Sequence, residues 1–246
     1  MSYRELSDPF VASAIEANRQ LYVRLKTVDD TFYRPHQVGA GGDVTHGIDQ
    51  IAEDIFVDQL HAFGQIYSEE SGLIGSGERM IYLDPLDGSD NFLSHFPYYG
   101  TSVAIESENG VEAGIVANLA TGKLFVKKGS LFLKGDLETG MFAPVIANPH
   151  PKIGIFERAY RSYENADRLK RAKIKYRVPG AVALSLAMAK YVDFVLFEGD
   201  MRAFDVKAGL YMCEGLYQHK TNDLTIICHH EKSFKRLLQL FSEDER

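Results

Sequence analysis

The stretch Met80-Ile-Tyr-Leu-Asp-Pro-Leu-Asp-Gly-Ser-Asp-Asn-Phe92 decides the fold around it, because it predicts a buried strand followed at once by an acidic turn. Residues 80–83 are apolar or aromatic, which is typical of a short buried strand. Pro85 removes one N–H donor and fixes φ, and Gly88 lets the backbone approach a ligand closely. Residues 89–91 are each able to cap a helix that begins near Phe92.

The same turn carries two carboxylates, Asp84 and Asp87, directly after the predicted strand. Carboxylate oxygens bind hard divalent cations, and backbone amides at a helix start bind phosphate groups. The combination indicates metal-assisted phosphoryl chemistry. An acidic turn without chemistry is the alternative, because Asp, Pro, Gly, Ser and Asn are also ordinary turn residues. The D-P-x-D-G pattern alone does not decide between these two interpretations.

The composition is that of an ordinary globular protein whose main partner is not a polyanion. The 246 residues are enough for one large domain or for two subdomains that share a cleft. Of these residues 45% are hydrophobic and 25% are charged, and the net charge is −7. This charge argues against nucleic acid or an acidic membrane surface as the main partner. Only two cysteines, no apolar leader and no apolar run long enough for a membrane span predict a cytoplasmic protein.

Apolar spacing predicts two helices ahead of the central strand, and alternation predicts a sheet after it. The first helix is expected from a cap at Ser7 or Asp8 to about residue 26, and the second after a cap at Thr45. A glycine-rich loop is expected at 72–77, and an antiparallel meander from strands at 100–106, 110–118 and 123–127. The proline-rich segment 143–152 is a candidate junction, which divides the chain into subdomains 1–143 and 144–246.

The second half of the chain predicts further helices and strands. A basic, solvent-facing helical stretch is expected within 152–173, and a helix rich in small residues at 178–190. Buried strands are expected at 193–197 and 225–228, and a final helix at 234–241.

Four more acidic residues lie where a predicted element begins or ends. Glu69 and Glu70 end a short strand, and because neighbouring side chains on a strand point to opposite faces, only one of them faces a given site. Asp49 and Asp205 each lie near the start of a predicted helix, where a negative charge is favourable. A simple cap or an exposed first-turn Asp is the alternative for these two residues.

The full D-P-x-D-G-S-x-N-F string resembles the inositol monophosphatase family, whose members are magnesium-dependent, lithium-sensitive phosphomonoesterases. Further motifs similar to the family's are a Val-Thr pair ahead of Asp49, the sequence Glu69-Glu70-Ser71-Gly72, and Phe204-Asp205 ahead of Ala208-Gly209. The resemblance covers about residues 43–209 and is strongest in the middle. A Walker-type lysine loop is absent, which favours hydrolysis over ATP-dependent transfer.

The resemblance implies a mixed α/β fold, a layered αβαβα sandwich of the sugar-phosphatase type whose two subdomains enclose the site. It also implies two or three bound Mg²⁺ ions, with Mn²⁺ as a substitute, since these ions prefer oxygen ligands. One ion is expected on Glu69, Asp84 and the Leu86 carbonyl. A second is expected on Asp84, Asp87 and Asp205, with Glu69 sharing a weaker third.

The resemblance also implies the reaction and the residues that carry it. A metal-activated water is expected to attack the phosphate, and Asp49 and the Ser89 hydroxyl are expected to help deprotonate it. The Gly88 and Ser89 amides are expected to bind the phosphate. The residues expected to face the substrate are Asp87, Ala181, Glu198 and Asp205.

The implied substrate is a small polyol or sugar phosphate, with inositol monophosphate as the first candidate. Fructose 1,6-bisphosphate and 3′-phosphoadenosine 5′-phosphate are alternatives, and a non-catalytic regulator that binds phosphosugar or metal is an alternative of a different class. A homodimer is expected from the resemblance alone. Arg202 either binds a second phosphate or forms an exposed salt bridge. Val38 replaces a lysine that family members often carry, and Phe204 replaces a tryptophan, which loses the indole donor.

Overall fold

The fold comes from a computed structural model, which describes residues 7–161 and 163–242. Two helices come first, α1 (Pro9–Arg24) and α2 (Gly47–Leu60). Asp8 caps α1 as predicted: its carboxylate accepts a hydrogen bond from the Val11 N–H at 2.9 Å. Between the helices, β1 (Pro35–Val38) and β2 (Val44–His46) form a small antiparallel hairpin.

The first large sheet holds eight strands. These are β3 (Gln65–Ser68), β4 (Gly72–Ile74), β5 (Met80–Asp87), β6 (Gly100–Ser107), β7 (Gly110–Asn118), β8 (Lys123–Lys128), β9 (Leu131–Asp136) and β10 (Phe142–Pro144). Their order is β10-β9-β8-β7-β6-β5-β3-β4, and the pairs are antiparallel except for the parallel pair of β3 and β5. A short helix, α3 (Ser89–Leu93), follows β5. The predicted meander is confirmed, since β6, β7 and β8 match its three strands within one residue at each end.

The second sheet holds five strands and comes later in the chain. These are β11 (Gly154–Glu157), β12 (Tyr176–Arg177), β13 (Val195–Glu198), β14 (Tyr217–Lys220) and β15 (Leu224–Cys228), in the order β12-β11-β13-β15-β14. Its helices are α4 (Tyr163–Arg171), α5 (Val182–Ala187), α6 (Ala203–Met212) and α7 (Glu231–Ser242).

Apolar packing stacks these elements in five layers. Helices α1 and α2 cover one face of the first sheet, where Phe56 is fully buried. Helices α5 and α6 lie between the sheets: Ala208 packs toward the first sheet and Leu186 toward the second. Helices α4 and α7 cover the far face of the second sheet through Leu169 and Leu237. The αβαβα sandwich predicted for the chain is therefore confirmed.

The boundary between the two predicted subdomains, at 143 and 144, stays a prediction. The first sheet ends with β10 and the second begins with β11, but α6 from the second half contacts β5, β6 and β7 of the first sheet. Within the described residues, no helix combines the length and the apolar content that a membrane crossing requires.

Two segments differ from their predicted structure. The glycine-rich segment 72–77 begins with strand β4 rather than a loop, because Gly72, with a φ of +71°, turns the chain back to pair with β3. The segment 152–173 begins with the buried strand β11, and only α4 within it is a regular helix. Ile155 and Phe156 supply the apolar side chains that bury this strand.

The cap of α2 was predicted one residue too early. His46, not Thr45, precedes the helix, and its N–H donates a hydrogen bond to the Asp49 carboxylate at 2.6 Å. The Thr45 hydroxyl instead donates a hydrogen bond to the carboxylate of Glu70. The carboxylate of Asp49, in the first turn of α2, therefore provides the hydrogen-bond acceptor for the backbone N–H of the residue that precedes the helix.

Candidate active site

Strand β5 carries its two aspartates into one cavity through an irregularity in its pairing with β6. Asp84 pairs with Ser102 and Asp87 with Gly100, so three steps along β5 match two along β6. Residues three apart on a regular strand point to opposite faces, yet Asp84 and Asp87 both line a cavity of about 430 Å³. The Leu86 N–H donates a hydrogen bond to the Asp84 carboxylate at 3.0 Å, which holds this bulged turn.

Gly88 turns the chain from β5 into α3. Its φ is +85°, and a Cβ there would lie 3.1 Å from both the Ala181 Cβ and the Tyr98 carbonyl oxygen. Glycine is therefore required here for two reasons: it adopts this positive φ without strain, and it has no Cβ to collide with these neighbours. Because Gly88 makes the turn alone, α3 begins at Ser89, which corrects the predicted start near Phe92. Ser89 lines the cavity.

Three carboxylates from separate parts of the chain converge beside this turn. Glu69 follows β3, Asp84 lies in β5, and Asp205 lies in the first turn of α6. One oxygen of each lies within 4.8 Å of the other two. These all-oxygen donors fit the hard cations Mg²⁺ and Mn²⁺. Asp87 lies outside this set of three, and its carboxylate accepts a hydrogen bond from the Leu184 N–H at 3.1 Å.

Burial and mutual repulsion raise the pKa values of these carboxyls. Burial raises the pKa of Asp84 and Asp87 well above their usual range, and the neighbouring carboxylates raise both further. Burial also raises the pKa of Glu69 to about 7, against the opposing effect of the nearby Arg202. Binding of a cation to this cluster is therefore favourable, because the cation reduces the repulsion between the carboxylates.

The guanidinium of Arg202 also offsets the negative charge of the cluster. It lies 2.6 Å from Glu69, 3.2 Å from Asp205 and 2.9 Å from Asp43, and it donates a hydrogen bond to the Gly41 carbonyl at 2.6 Å. A salt bridge, one of the two roles that the sequence analysis gives for Arg202, is therefore present. Two of its partners are candidate metal ligands.

Asp49 lines the same cavity and is almost completely buried. Burial raises its pKa to about 7; the His46 N–H opposes this rise, and the charges of Glu70 and Asp90 add to it. The Nδ1 atom of His46 lies 3.7 Å from the Asp49 carboxylate and has no hydrogen-bond partner among the described residues. A carboxyl that changes its charge near neutral pH suits proton transfer.

Glu157 is a buried acid of this cavity that the sequence analysis missed. It ends β11, is 0% exposed, and accepts hydrogen bonds from the Gly180 N–H at 3.0 Å and from the Ser185 hydroxyl. Burial raises its pKa, and these hydrogen bonds and the charge of Arg158 oppose the rise. An acid at the end of a short apolar run was the available signal, as for Glu69, but the basic residues that follow suggested a solvent-facing helix.

Two of the four predicted substrate contacts line the cavity and two do not. Asp87 and Asp205 line it, whereas Ala181 and Glu198 lie outside its lining. The carboxylate of Glu198 accepts a hydrogen bond from the Asn165 side chain at 2.5 Å. Ala181 precedes α5 and packs beside the turn into α3. The substrate contacts of Ala181 and Glu198 therefore stay predictions.

Known proteins resemble this chain along most of its length. The sequence model of the inositol monophosphatase family matches residues 10–216. A protein of Methanothermobacter thermautotrophicus named fructose-1,6-bisphosphatase/inositol-1-monophosphatase is 30% identical over 201 residues, which cover 72% of this chain and 71% of that protein. A bifunctional NADP phosphatase/NAD kinase of Methanococcus maripaludis is 27% identical, over 83% of this chain and 44% of that protein.

The fold is shared with solved structures. The extragenic suppressor protein SuhB of Bartonella henselae superposes with a TM-score of 0.75 at 20% identity, over 96% of this chain and 98% of that one. At this identity the likeness supports the fold alone. The family match carries the assignment, because it spans well over half of the chain and includes every acid of the cluster. The chain therefore belongs to the inositol monophosphatase family and is a phosphoric monoester hydrolase.

Proposed function

We propose that this chain is a Mg²⁺-dependent phosphomonoesterase of small polyol or sugar phosphates, with inositol monophosphate as the first candidate substrate. The observation that carries the proposal is the convergence of Glu69, Asp84 and Asp205 within 4.8 Å of one another in the cavity. Buried carboxylates repel one another, and they also repel the phosphate of an ester. Cations remove both obstacles, so the cavity suits a metal-dependent reaction of an anionic substrate.

The proposed ligands are those that the resemblance to the family implies, and the residues concerned all line the cavity. Glu69, Asp84 and the Leu86 carbonyl would hold one ion, and Asp84, Asp87 and Asp205 a second, with Glu69 sharing a weaker third. When bound, the ions supply Lewis-acid activation of the attacking water and charge stabilisation of the leaving oxygen. The raised pKa values of Asp84 and Asp87 support this arrangement, because carboxyls that repel each other gain most from a cation.

Asp49 and Ser89 are the proposed proton-transfer residues. A carboxyl whose pKa is about 7 accepts and releases a proton near neutral pH, which is the property that a general base needs. The Ser89 hydroxyl passes the proton of the attacking water to Asp49. The amides of Gly88 and Ser89, at the turn into α3, donate hydrogen bonds to the phosphate.

The candidate substrates are all small phosphate esters. Fructose 1,6-bisphosphate is the second candidate, because the relative that is 30% identical carries both activities in its name. The nucleotides 3′-phosphoadenosine 5′-phosphate and NADP complete the set to be tested. A non-catalytic phosphosugar-binding regulator is the alternative of a different class. A homodimer and a cytoplasmic location stay predictions.

Phosphate release from these four esters tests the proposal. The parent protein is assayed with and without Mg²⁺, and with Li⁺ added. We expect release that depends on Mg²⁺ and is inhibited by Li⁺ for at least one ester. Absence of release from all four esters, together with tight phosphosugar binding, would favour the regulator.

Asp87→Asn is the matched variant for this assay. We expect turnover to fall by at least about 100-fold, because a charged ligand is lost. The fold should be retained, because the amide oxygen still accepts the hydrogen bond from the Leu184 N–H and one repulsive charge is removed. Equal rates for the variant and the parent would refute the role of Asp87.

A further inference from the structure

The wall of the cavity that follows β11 is cationic. A short 3-10 turn, Ala159–Arg161, comes directly after the strand, and Arg158, Tyr160 and Arg161 from this segment line the cavity. Arg161 and Tyr160 are exposed, and Arg158 is half-buried. The same cavity therefore has clustered carboxylates on one side and two guanidiniums on another.

The charge balance of the cavity makes these two arginines unusual. Nine carboxylates and three guanidiniums line it. The third guanidinium, that of Arg202, contacts three carboxylates, including Glu69 and Asp205. In contrast, neither Arg158 nor Arg161 lies within ion-pair distance of a carboxylate in the described part of the chain, and the charge of Arg158 acts on Glu157 only at longer range. Two cations in an acidic cavity thus remain available to an anion.

The backbone of Arg158 supports a role beyond fold stability. Its φ is +58°, in the left-handed region that a residue with a Cβ adopts only at a cost of about 1 kcal/mol or more. The preceding residue, Glu157, is fixed by hydrogen bonds from Gly180 and Ser185, so the strand end cannot relax easily. Strained residues that persist beside a cavity are often functional, because the strain aims the side chain.

We propose that Arg158 and Arg161 bind a second anionic group of the substrate, a phosphate other than the one that is cleaved. The inference rests on the proposed function and moves its second candidate, a sugar bisphosphate, ahead of inositol monophosphate, which has no second phosphate. The cleaved phosphate would lie at the carboxylate cluster, where bound cations would offset its charge. The second phosphate accepts charge-assisted hydrogen bonds from guanidinium groups, whose planar donors match phosphate oxygens.

Fructose 1,6-bisphosphate and fructose 1-phosphate form a matched pair for the test, because they differ only in the 6-phosphate. We expect kcat/KM of the parent protein with Mg²⁺ to be at least about tenfold higher for the bisphosphate, the size of one charge-assisted contact. In Arg158→Gln and Arg161→Gln this ratio should fall toward one, mainly through KM. Arg177→Gln is the control: this exposed arginine of β12 lies outside the cavity lining, and the ratio should not move.

A binding measurement separates this proposal from the proposed function. Calorimetric titration of Asp49→Asn, which keeps every proposed metal ligand, gives the affinities for both fructose esters without depending on turnover. At least about tenfold tighter binding of the bisphosphate, lost in Asp49→Asn/Arg161→Gln, supports the second-phosphate site even if no ester is hydrolysed. Equal affinities for the two esters, or an equal change for both in the double variant, would overturn it. If neither ester binds, the proposal is overturned as well.

Discussion

The guanidinium of Arg202 lies 2.6 Å from the carboxylate of Glu69, and this ion pair joins the two sheets beside the candidate metal site. Glu69 follows β3 of the first sheet, whereas Arg202 lies between β13 of the second sheet and α6. The charge balance of the cavity is therefore coupled to the contact between the two halves of the sandwich.

Arg202→Gln is expected to lower the free energy of unfolding of the metal-free protein by about 1–2 kcal/mol, a value between those of exposed and buried ion pairs. The reason is that Glu69 and Asp205 lose their nearest cation. Mg²⁺ should restore most of the loss, since it offsets the same charges. Urea unfolding with and without Mg²⁺ measures both effects. A loss of stability in Arg202→Gln that Mg²⁺ leaves unchanged would contradict this account.

Arg171→Gln is the control for this prediction. It removes the ion pair between Arg171, whose side chain is 82% exposed, and Asp167, and it should change the free energy of unfolding by less than about 0.5 kcal/mol.

The stabilising effect of Mg²⁺ is expected to depend on pH. The pKa of Glu69 is about 7 in the folded protein and 4.5 when unperturbed, so between these values the folded state binds more protons than the unfolded state. The free energy of unfolding of the metal-free protein therefore falls as pH rises through this window. Asp84 and Asp87 act in the same direction, because their pKa values are also raised.

Because Mg²⁺ displaces these protons, the rise in Tm on adding Mg²⁺ should be larger at about pH 8 than at about pH 5. Scanning calorimetry of the parent protein at the two pH values measures the difference. An increase in Tm that is equal at both, or larger at the lower pH, would show that the buried carboxyls do not hold the ion.

The turn at Gly88 is expected to tolerate no side chain. Gly88 and Gly215 have φ values of +85° and +79°, so alanine at either position is strained by about 1 kcal/mol. Only at Gly88 would the added Cβ also meet neighbours, at 3.1 to 3.2 Å, whereas nothing lies within 4 Å at Gly215. We therefore expect Gly88→Ala to lose roughly 2–4 kcal/mol and Gly215→Ala about 1 kcal/mol. Urea unfolding compares them, and equal losses would show that the contacts with the Ala181 Cβ and with the carbonyl oxygens of Tyr98 and Gly180 are unimportant.

The sequence predicted helices and strands well where the signal for an element lies within that element or next to it. Asp8 caps α1 and the alternation from 100 to 128 gives β6, β7 and β8, because each depends on side chains within a few residues. The sandwich followed from the resemblance to a family. The strand β11 was missed because its few apolar residues are followed by a strongly basic segment.

The arrangement of the site depends on contacts between distant residues, which one sequence does not contain. The common orientation of Asp84 and Asp87 depends on a bulge, and a bulge is a property of the pairing between β5 and β6. Arg202 contacts Asp43, which is 159 residues away, and Glu157 accepts from the Ser185 hydroxyl across the second half of the fold. Pattern reasoning therefore named most of the acids and Arg202, but it missed Glu157, Arg158 and Arg161.

Asp49 is expected to set the rising limb of the pH profile. Burial raises its pKa to about 7, so the carboxylate that accepts a proton becomes available only as pH rises through that value. At saturating Mg²⁺, kcat/KM of the parent protein should therefore rise with a midpoint near 7, since this ratio reports groups of the free enzyme. Asp49→Asn should lower kcat/KM by roughly 10²- to 10⁴-fold and remove the rise, because no carboxylate is left to accept the proton.

Asp90→Asn separates this explanation from a general effect of charge in the cavity. The charge of Asp90 contributes to the raised pKa of Asp49, so its removal should move the midpoint to lower pH while the rising limb remains. The two variants thus give opposite signatures: one loses the limb, and the other keeps it at lower pH. A limb that persists at the parent's midpoint in Asp49→Asn would assign the titration to another group, and Asp49 would then act only as the residue that holds the start of α2.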